Sequence, residues 1–185
     1  IDWNTPADAA YVNILNNGPD AAEIANAFRN SDFVVANGTW TMAANESLTV
    51  PTGKTLYVQG GLDATAAGAG ISNRGTVTVN GVLSTNGSVA GKVNARSWNI
   101  VYDSPVIAGC EVAVEGDVTI ANGNTLTVAG TLTAGGSIKA STGSANLVIT
   151  GHVTANGVAM GTGNVTVNSA NSLIVENDIA CGTLT

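Results

Sequence analysis

The chain has 185 residues, of which 44% are hydrophobic, 10% charged and 4% aromatic, and its formal net charge at pH 7 is −7. Its 6 basic residues are scattered, whereas nucleic acids and anionic membrane surfaces are bound by clustered positive charge. The apolar residues alternate with Thr, Asn, Ser and Gly and form no run of about 18, the length that a spanning helix needs, so we expect neither nucleic-acid binding nor membrane insertion.

Residues 1–31 are predicted to form an N-terminal helical cap. The segment 7–16 follows Thr5-Pro6 and has the pattern of a first helix, which Gly18 ends. Pro19 then begins a second helix, with Asp20 and Glu23 in its first turn. The apolar stripe of this second helix consists of Ile24, Ala27 and Phe28.

From residue 32 onward the chain repeats one pattern, about every 23 residues. In TLYVQGGLDA, TVTVNGVLST and TLTVAGTLTA, positions 2, 4 and 8 are aliphatic, position 6 is Gly and position 10 is small or Thr. The copies begin at residues 32, 55, 76, 99, 125, 146 and 172. Positions 2 and 4 share one face of a strand, and Gly at position 6 predicts a corner with positive φ. A third strand must close each coil, and the best segments are 48–50, 111–114 and 164–167.

A single coil cannot bury its apolar face, so the coils must stack on one another at about 4.8 Å. We therefore predict an all-β fold, a right-handed parallel β-helix of about seven coils over residues 32–185 with the short α-helical cap at its N-terminal end. The alternative is an antiparallel sandwich, because Asn-Gly pairs also mark hairpins. The recurrence of the pattern in phase favours the solenoid, and it places Trp40 at inward position 8 of the first coil.

The junction between the cap and the first coils reads AAEIANAFRNSDFVVANGTWTMAANESLTVPTGKTLYVQGG. It resembles the pectate-lyase-like superfamily of right-handed parallel β-helices, and most of all its non-enzymatic surface and adhesin members. The superfamily also includes polysaccharide lyases, glycosidases, phage tail spikes and autotransporter passengers. The resemblance therefore implies the fold and leaves the function open.

No catalytic, cofactor-binding or metal site is predicted. The outward positions carry no facing pair of carboxylates, which a glycosidase needs. The densest acidic spot, Glu111, Glu115 and Asp117, is a candidate for a weak Ca²⁺ site. The alternative is a solvated strand and turn, and we favour this alternative. His152 is the only histidine and is predicted at the surface. Its expected column neighbours are Thr131 and Asp178.

Two further residue types bear on function. Cys110 and Cys181 are predicted to lie about three coils apart, too far for a disulfide, and Cys181 falls at a small inward position. Trp3 and Trp98 are candidates for sugar-stacking platforms, although Trp98 precedes a coil and packing is the simpler expectation.

The leading functional hypothesis is a non-enzymatic structural or adhesive module, a stalk or surface-display domain of a secreted or cell-surface protein. A glycan-binding module is the alternative, followed by a polysaccharide-degrading enzyme and an ice-binding protein. The expected partner is a glycan or a cell-surface protein. The repeat continues to Cys181 without a second cap, so we expect either a longer parent protein or self-association through the C-terminal coil.

Overall fold

The protein is described by a computed structural model, which covers residues 5–16, 18–168 and 170–185. Its elements, in chain order, are β1 (Ala10–Asn13), α1 (Asp20–Ala27), β2 (Phe33–Asn37), β3 (Trp40–Thr41), β4 (Ser47–Val50), β5 (Thr55–Val58), β6 (Leu62–Ala64), β7 (Gly70–Asn73), β8 (Thr76–Thr85), β9 (Lys92–Ile100), β10 (Ser104–Val106), β11 (Glu111–Val114), β12 (Val118–Ile120), β13 (Thr125–Val128), β14 (Thr131–Ala140), β15 (Asn146–Ile149), β16 (His152–Ala159), β17 (Asn164–Val167), β18 (Ser172–Val175), β19 (Ile179–Ala180) and β20 (Thr183–Leu184).

These strands pair in parallel and wind into a solenoid with three faces. The first face has the strand order β1-β2-β5-β8-β9-β11-β14-β16-β18. The second face consists of β3, β6, β12 and β19 together with the later halves of the long strands β8, β9, β14 and β16. The third face has two separate sheets, β4-β7 and β10-β13-β15-β17-β20. The chain is thus an all-β parallel solenoid of about eight turns with one short helix, which confirms the predicted β-helix and approximates its coil number.

Aliphatic columns fill the interior. On the first face Leu56, Val77, Val93 and Val112 lie in register on successive rungs, and each is at most 5% exposed. Burying one such side chain stabilises the fold by about 1.5–3 kcal/mol. A single apolar cluster extends from Val12 on β1 to Val165 on β17, so neighbouring turns share one continuous core.

The predicted first helix over residues 7–16 is wrong. Residues 10–13 form strand β1, which pairs in parallel with β2 and places Val12 inward. The β-branched Val12 suits a strand, and Asn16 has a φ of 61°, which an α-helix does not contain. The first rung of the solenoid therefore lies within the segment that was predicted as the cap.

The second predicted helix is confirmed as α1, which buries Ile24 against the first rungs, and Phe28, the residue directly after the helix, is buried in the same cluster. Its N-terminal end is fixed by two carboxylates. Asp20 accepts hydrogen bonds from the backbone N–H groups of residues 15 and 16, and Glu46 accepts one from Ala21 N–H at 3.0 Å. At the other end Lys54 donates to the backbone carbonyl of Phe28. These contacts attach the helix to the solenoid.

The predicted repeat register is right at both ends of the chain and wrong in the middle. The copies beginning at residues 55, 76 and 172 fall on the first face, whereas those beginning at 125 and 146 are the third-face strands β13 and β15. Segment 111–114, predicted to close a coil, is the first-face strand β11, and the copy assigned to residue 99 lies on the second face. The error arises because the third and first faces share the same alternation and the same glycine at the following corner.

The predicted role of the position-6 glycines is also wrong. Gly60, Gly81, Gly130 and Gly151 do not have positive φ among the described residues. These glycines are needed because the coil beneath is too close for a side chain. A Cβ at Gly151 would lie 2.1 Å from the carbonyl oxygen of Gly130, and one at Gly81 would lie 2.9 Å from that of Gly60.

Candidate functional site

The predicted acidic spot is divided among ion pairs that connect neighbouring rungs. Glu111 lies directly opposite Lys92 in the β9–β11 register, with their charged atoms 3.7 Å apart. Four residues further along the chain on each rung, the charged atoms of Glu115 and Arg96 are 3.9 Å apart. The third carboxylate, Asp117, bonds to Lys139 on the rung that follows. Each carboxylate therefore has its own cationic partner, and the geometry favours cross-linking of rungs over a shared cation site.

Two side chains on these outer faces have shifted pKa values. The hydrogen bond from Lys139 lowers the pKa of Asp117, and the Ser137 backbone N–H, 2.8 Å from its Oδ1, adds to the effect. Burial raises the pKa of Tyr57, and the positive charge of Arg96 opposes part of that rise. Both shifts follow from contacts between rungs, so they are consistent with a structural role for these groups.

His152 is exposed on the first face, as the sequence predicts, and Thr131 is its neighbour on one side. The neighbour on the other side is Ser172, not the expected Asp178. The Nδ1 atom of His152 lies 2.8 Å from the Ser172 hydroxyl oxygen. At this distance an imidazole can accept a proton from a nucleophilic hydroxyl. An enzyme assay must therefore test whether this pair of residues is reactive.

The tryptophans that the structure describes belong to the core. Trp40 and Trp98 are both 0% exposed, which confirms the inward prediction for Trp40. Trp98 donates its indole N–H to the Thr85 hydroxyl at 2.9 Å. Because Trp98 is fully buried, it cannot serve as a sugar-stacking platform. Trp3 lies outside the described residues. Both cysteines are free thiols, Cys110 buried and Cys181 half-buried.

A cavity of about 360 Å³, open to solvent on one side, lies between the second and fourth rungs that follow α1. Its inner wall is aliphatic and comes from all three faces. Its mouth lies on the third face, beside the exposed Ser72 and Ser88 and the half-buried Asn86. The lining includes Leu62, Ala64, Ile71, Val77, Leu83, Val89 and Val93.

The cavity opens where one turn is unusually short. Thr76 pairs with Lys92, sixteen residues later, whereas Thr55 and Thr131 pair with residues twenty-one positions later. The short turn has no third-face strand, so β7 and β10 are separated by segment 86–91, which contributes only the isolated bridge from Val89 to Val106. The repeat pattern gave no signal for this cavity, because the copies predicted at residues 76 and 99 have the usual spacing and the sixteen-residue turn appears only in the strand register.

The C-terminal rung exposes apolar side chains. Ile174 on β18 is 58% exposed, Ile179 on β19 is 39% exposed and Leu184 on β20 is 55% exposed. These three side chains, which we call the terminal patch, belong to the three faces of the last turn. Their counterparts in earlier rungs are outward residues on the first face and core residues on the second and third faces.

Within residues 5–16, 18–168 and 170–185, no three His, Cys, Asp or Glu side chains are grouped so as to hold a metal ion. In the same residues no helix has the length and apolar character required to cross a membrane. Comparisons with protein-family models, curated proteins and solved structures find no significant match to this chain.

Proposed function

We propose that the chain is a non-enzymatic structural module, a stiff spacer within an extracellular or cell-surface protein, and that it is a pectate-lyase-like β-helix of the display or adhesive kind. The observation that carries the proposal is one continuous apolar core whose successive rungs are also joined by ion pairs on the outer faces. Nine first-face strands make eight steps, or about 38 Å of rod at about 4.8 Å per step. Bending such a rod would break ladder hydrogen bonds and open the core at once.

The charge distribution supports the same proposal. Of the 6 basic residues in the chain, Lys54, Lys92, Arg96 and Lys139 each lie within ion-pair distance of an acidic side chain. Each exposed pair contributes at most about 1 kcal/mol, but all four connect strands or segments of adjacent turns. The charged side chains of the outer faces therefore hold the stack in register.

The location is tested on intact cells of the source organism. An antibody raised against the purified chain is expected to label cells without permeabilisation, and external protease is expected to remove the label. Labelling that appears only after permeabilisation would contradict an extracellular or surface role.

The absence of catalysis is tested with the purified protein. Polysaccharides of several classes are incubated with it while unsaturated products and reducing ends are measured, and p-nitrophenyl acetate serves as a substrate for the His152–Ser172 pair. We expect rates equal to those of the His152→Ala variant. Turnover that this substitution removes would show an enzyme and would overturn the proposal.

Glycan binding is the second candidate, favoured by one observation. Tyr102 lies in a connecting segment and is 60% exposed as a residue, and an exposed aromatic ring can stack on an apolar sugar face. A glycan array with the wild type and Tyr102→Ala distinguishes the candidates. Saturable binding that is lost in Tyr102→Ala would favour the glycan module, whereas no binding by either protein agrees with the spacer.

A further inference from the structure

The core is less well covered beside the cavity than further along the rod. In the second-face column, Leu62 and Leu83 are 2% and 4% exposed, whereas Val118 and Ile138 in the same column are fully buried. The first-face column shows the same contrast. There, Val77 and Val93 are 3% and 5% exposed, and Leu132 and Val153 are 0% and 1% exposed. All of these side chains are buried, but those beside the cavity are slightly more exposed than their counterparts further along the rod.

The cavity has two causes, and one of them is a missing side-chain volume. Ala64 and Thr85 occupy the column that Ile100 and Ile120 fill on the next two rungs. The second cause is the missing third-face strand of the short turn. The mouth is held in position by Asn73, whose side-chain amide donates to the carbonyls of residues 90 and 92 at 3.0 Å each.

The lining determines which ligands fit. A volume of about 360 Å³ lies in the range of about 300–1,000 Å³ typical of small-molecule sites. The lining contains no charged side chain, and a buried charge without a partner is strongly unfavourable. The hydroxyl groups of Ser72 and Ser88 at the mouth provide hydrogen-bonding partners for one polar group.

We propose that this cavity is a binding site for an uncharged aliphatic molecule with a terminal hydroxyl. The alkyl chain lies along the columns of Leu62, Leu83 and Val93, and the hydroxyl remains at the mouth beside Ser72 and Ser88. The inference is independent of the spacer function, because it depends only on the interior of the short turn.

The first test is a titration of the wild-type protein with 1-octanol, observed through the methyl groups by NMR. We expect saturable shifts confined to the methyl groups of Leu62, Val77, Leu83, Val89 and Val93, and at least tenfold weaker binding of octanoate, whose charge the cavity cannot solvate. Shifts at Ile174, Ile179 and Leu184 alone, or no shifts up to the solubility limit of octanol, would overturn the proposal.

The second test fills the cavity. Ala64→Ile places in this column the side chain that Ile100 and Ile120 already have two and three rungs later, so the variant is expected to fold with an unchanged or higher Tm. Octanol binding should weaken at least tenfold. The control Ala113→Ile makes the same change at an exposed position of β11, and it should bind octanol as the wild type does. Equal binding by Ala64→Ile and Ala113→Ile would contradict the assignment, as would loss of binding in both.

Discussion

Gly130 lies at a corner where two turns of the solenoid come into direct backbone contact. A Cβ atom there would lie 2.3 Å from the carbonyl oxygen of Cys110 and 2.6 Å from that of Ile107. Since backbone atoms cannot move aside as a flexible side chain can, a methyl group at this position must push two rungs apart. The glycine is therefore required by stacking, and its φ is not the reason.

Gly130→Ala is accordingly expected to lower the free energy of unfolding by about 2–4 kcal/mol. Gly87→Ala is the matched control, because a Cβ at Gly87 meets nothing within 4 Å. That variant should lie within about 0.5 kcal/mol of the wild type, or slightly above it through reduced entropy of the unfolded chain. Chemical denaturation of the two variants measures the difference, and similar values for both would show that the corner is looser than described.

The two buried tryptophans differ in one hydrogen bond. The Trp98 indole N–H bonds to Thr85, whereas that of Trp40 is buried without an acceptor among the described residues. An unsatisfied buried donor costs about 1–3 kcal/mol. Replacement by Phe removes the N–H group in both cases and changes the ring volume equally.

We therefore expect Trp40→Phe to be less destabilising than Trp98→Phe by about 1–2 kcal/mol. Thermal unfolding followed by circular dichroism ranks the two variants. If Trp98→Phe proves the milder change, the Thr85 bond contributes nothing and the assignment of the Trp40 N–H as unsatisfied is wrong.

The sequence predicted which of these positions are buried and which are glycine corners, but it did not predict why the glycines are needed. Burial of Trp40 followed from the repeat, because an aliphatic column defines which positions point inward. The glycine corners were found, but their cause was not, since a close approach between turns depends on coordinates that a one-dimensional pattern does not contain. His152 was assigned correctly to the surface, and one of its neighbours was wrong because the register had shifted.

At the scale of elements, ion pairs between strands add a pH-dependent contribution to stability. The pKa of Asp117 is lowered in the folded protein by Lys139 and the Ser137 N–H. A carboxyl group whose pKa is lower in the folded state stabilises the fold above its unfolded pKa of about 3.9 and loses that contribution as the pH falls through the folded value. Because this pair is about two-fifths exposed, its contribution is limited to about 1 kcal/mol.

Asp117→Asn should therefore be less stable than the wild type at neutral pH, by up to about 1 kcal/mol. The two proteins should converge in stability at pH values below the folded pKa, where Asp117 is protonated. Denaturation at a series of pH values measures this difference, with Asp178→Asn in an exposed turn as the control. A constant difference down to the most acidic pH would show that the effect is steric.

The element boundaries show where a repeat pattern misleads. Strands β9 and β11 were missed as first-face strands because Lys92 and Glu111 replace the outward Thr of other copies. Strands β13 and β15 were assigned to the wrong face because their alternation and following glycine match the template. Pairing partners would have resolved the ambiguity, since the hydrogen-bond ladder fixes register where side-chain patterns on three similar faces do not.

The whole molecule has two different ends. Helix α1 packs against the first rungs, whereas the terminal patch of Ile174, Ile179 and Leu184 is exposed at the other end. Exposed apolar side chains beside strand edges favour pairing with another chain. The terminal patch consists of only three side chains, a small apolar surface, so we expect self-association that is weak and reversible.

Sedimentation velocity at rising concentration tests this expectation. The wild type should show an increasing average sedimentation coefficient, and Ile174→Lys should remove the increase by placing a charge in the terminal patch. Val82→Lys, at a 43% exposed position in the middle of the rod, is the charge-matched control and should behave as the wild type does. A concentration-independent wild type would rule out association through this end.

The central claim, a stiff rod of stacked parallel turns, is tested most directly by one distance. Tyr11 and Ile174 are exposed and lie in the same outward column, eight steps apart. Spin labels at these two positions, in a background where Ser replaces Cys110 and Cys181, should give one narrow distance of about 38 Å in a pulsed dipolar measurement. The pair Tyr11 and Ala113, five steps apart, should give about 24 Å. A broad distribution, or a Tyr11–Ile174 distance well below about 30 Å as in a chain that folds back into a sandwich, would contradict the account.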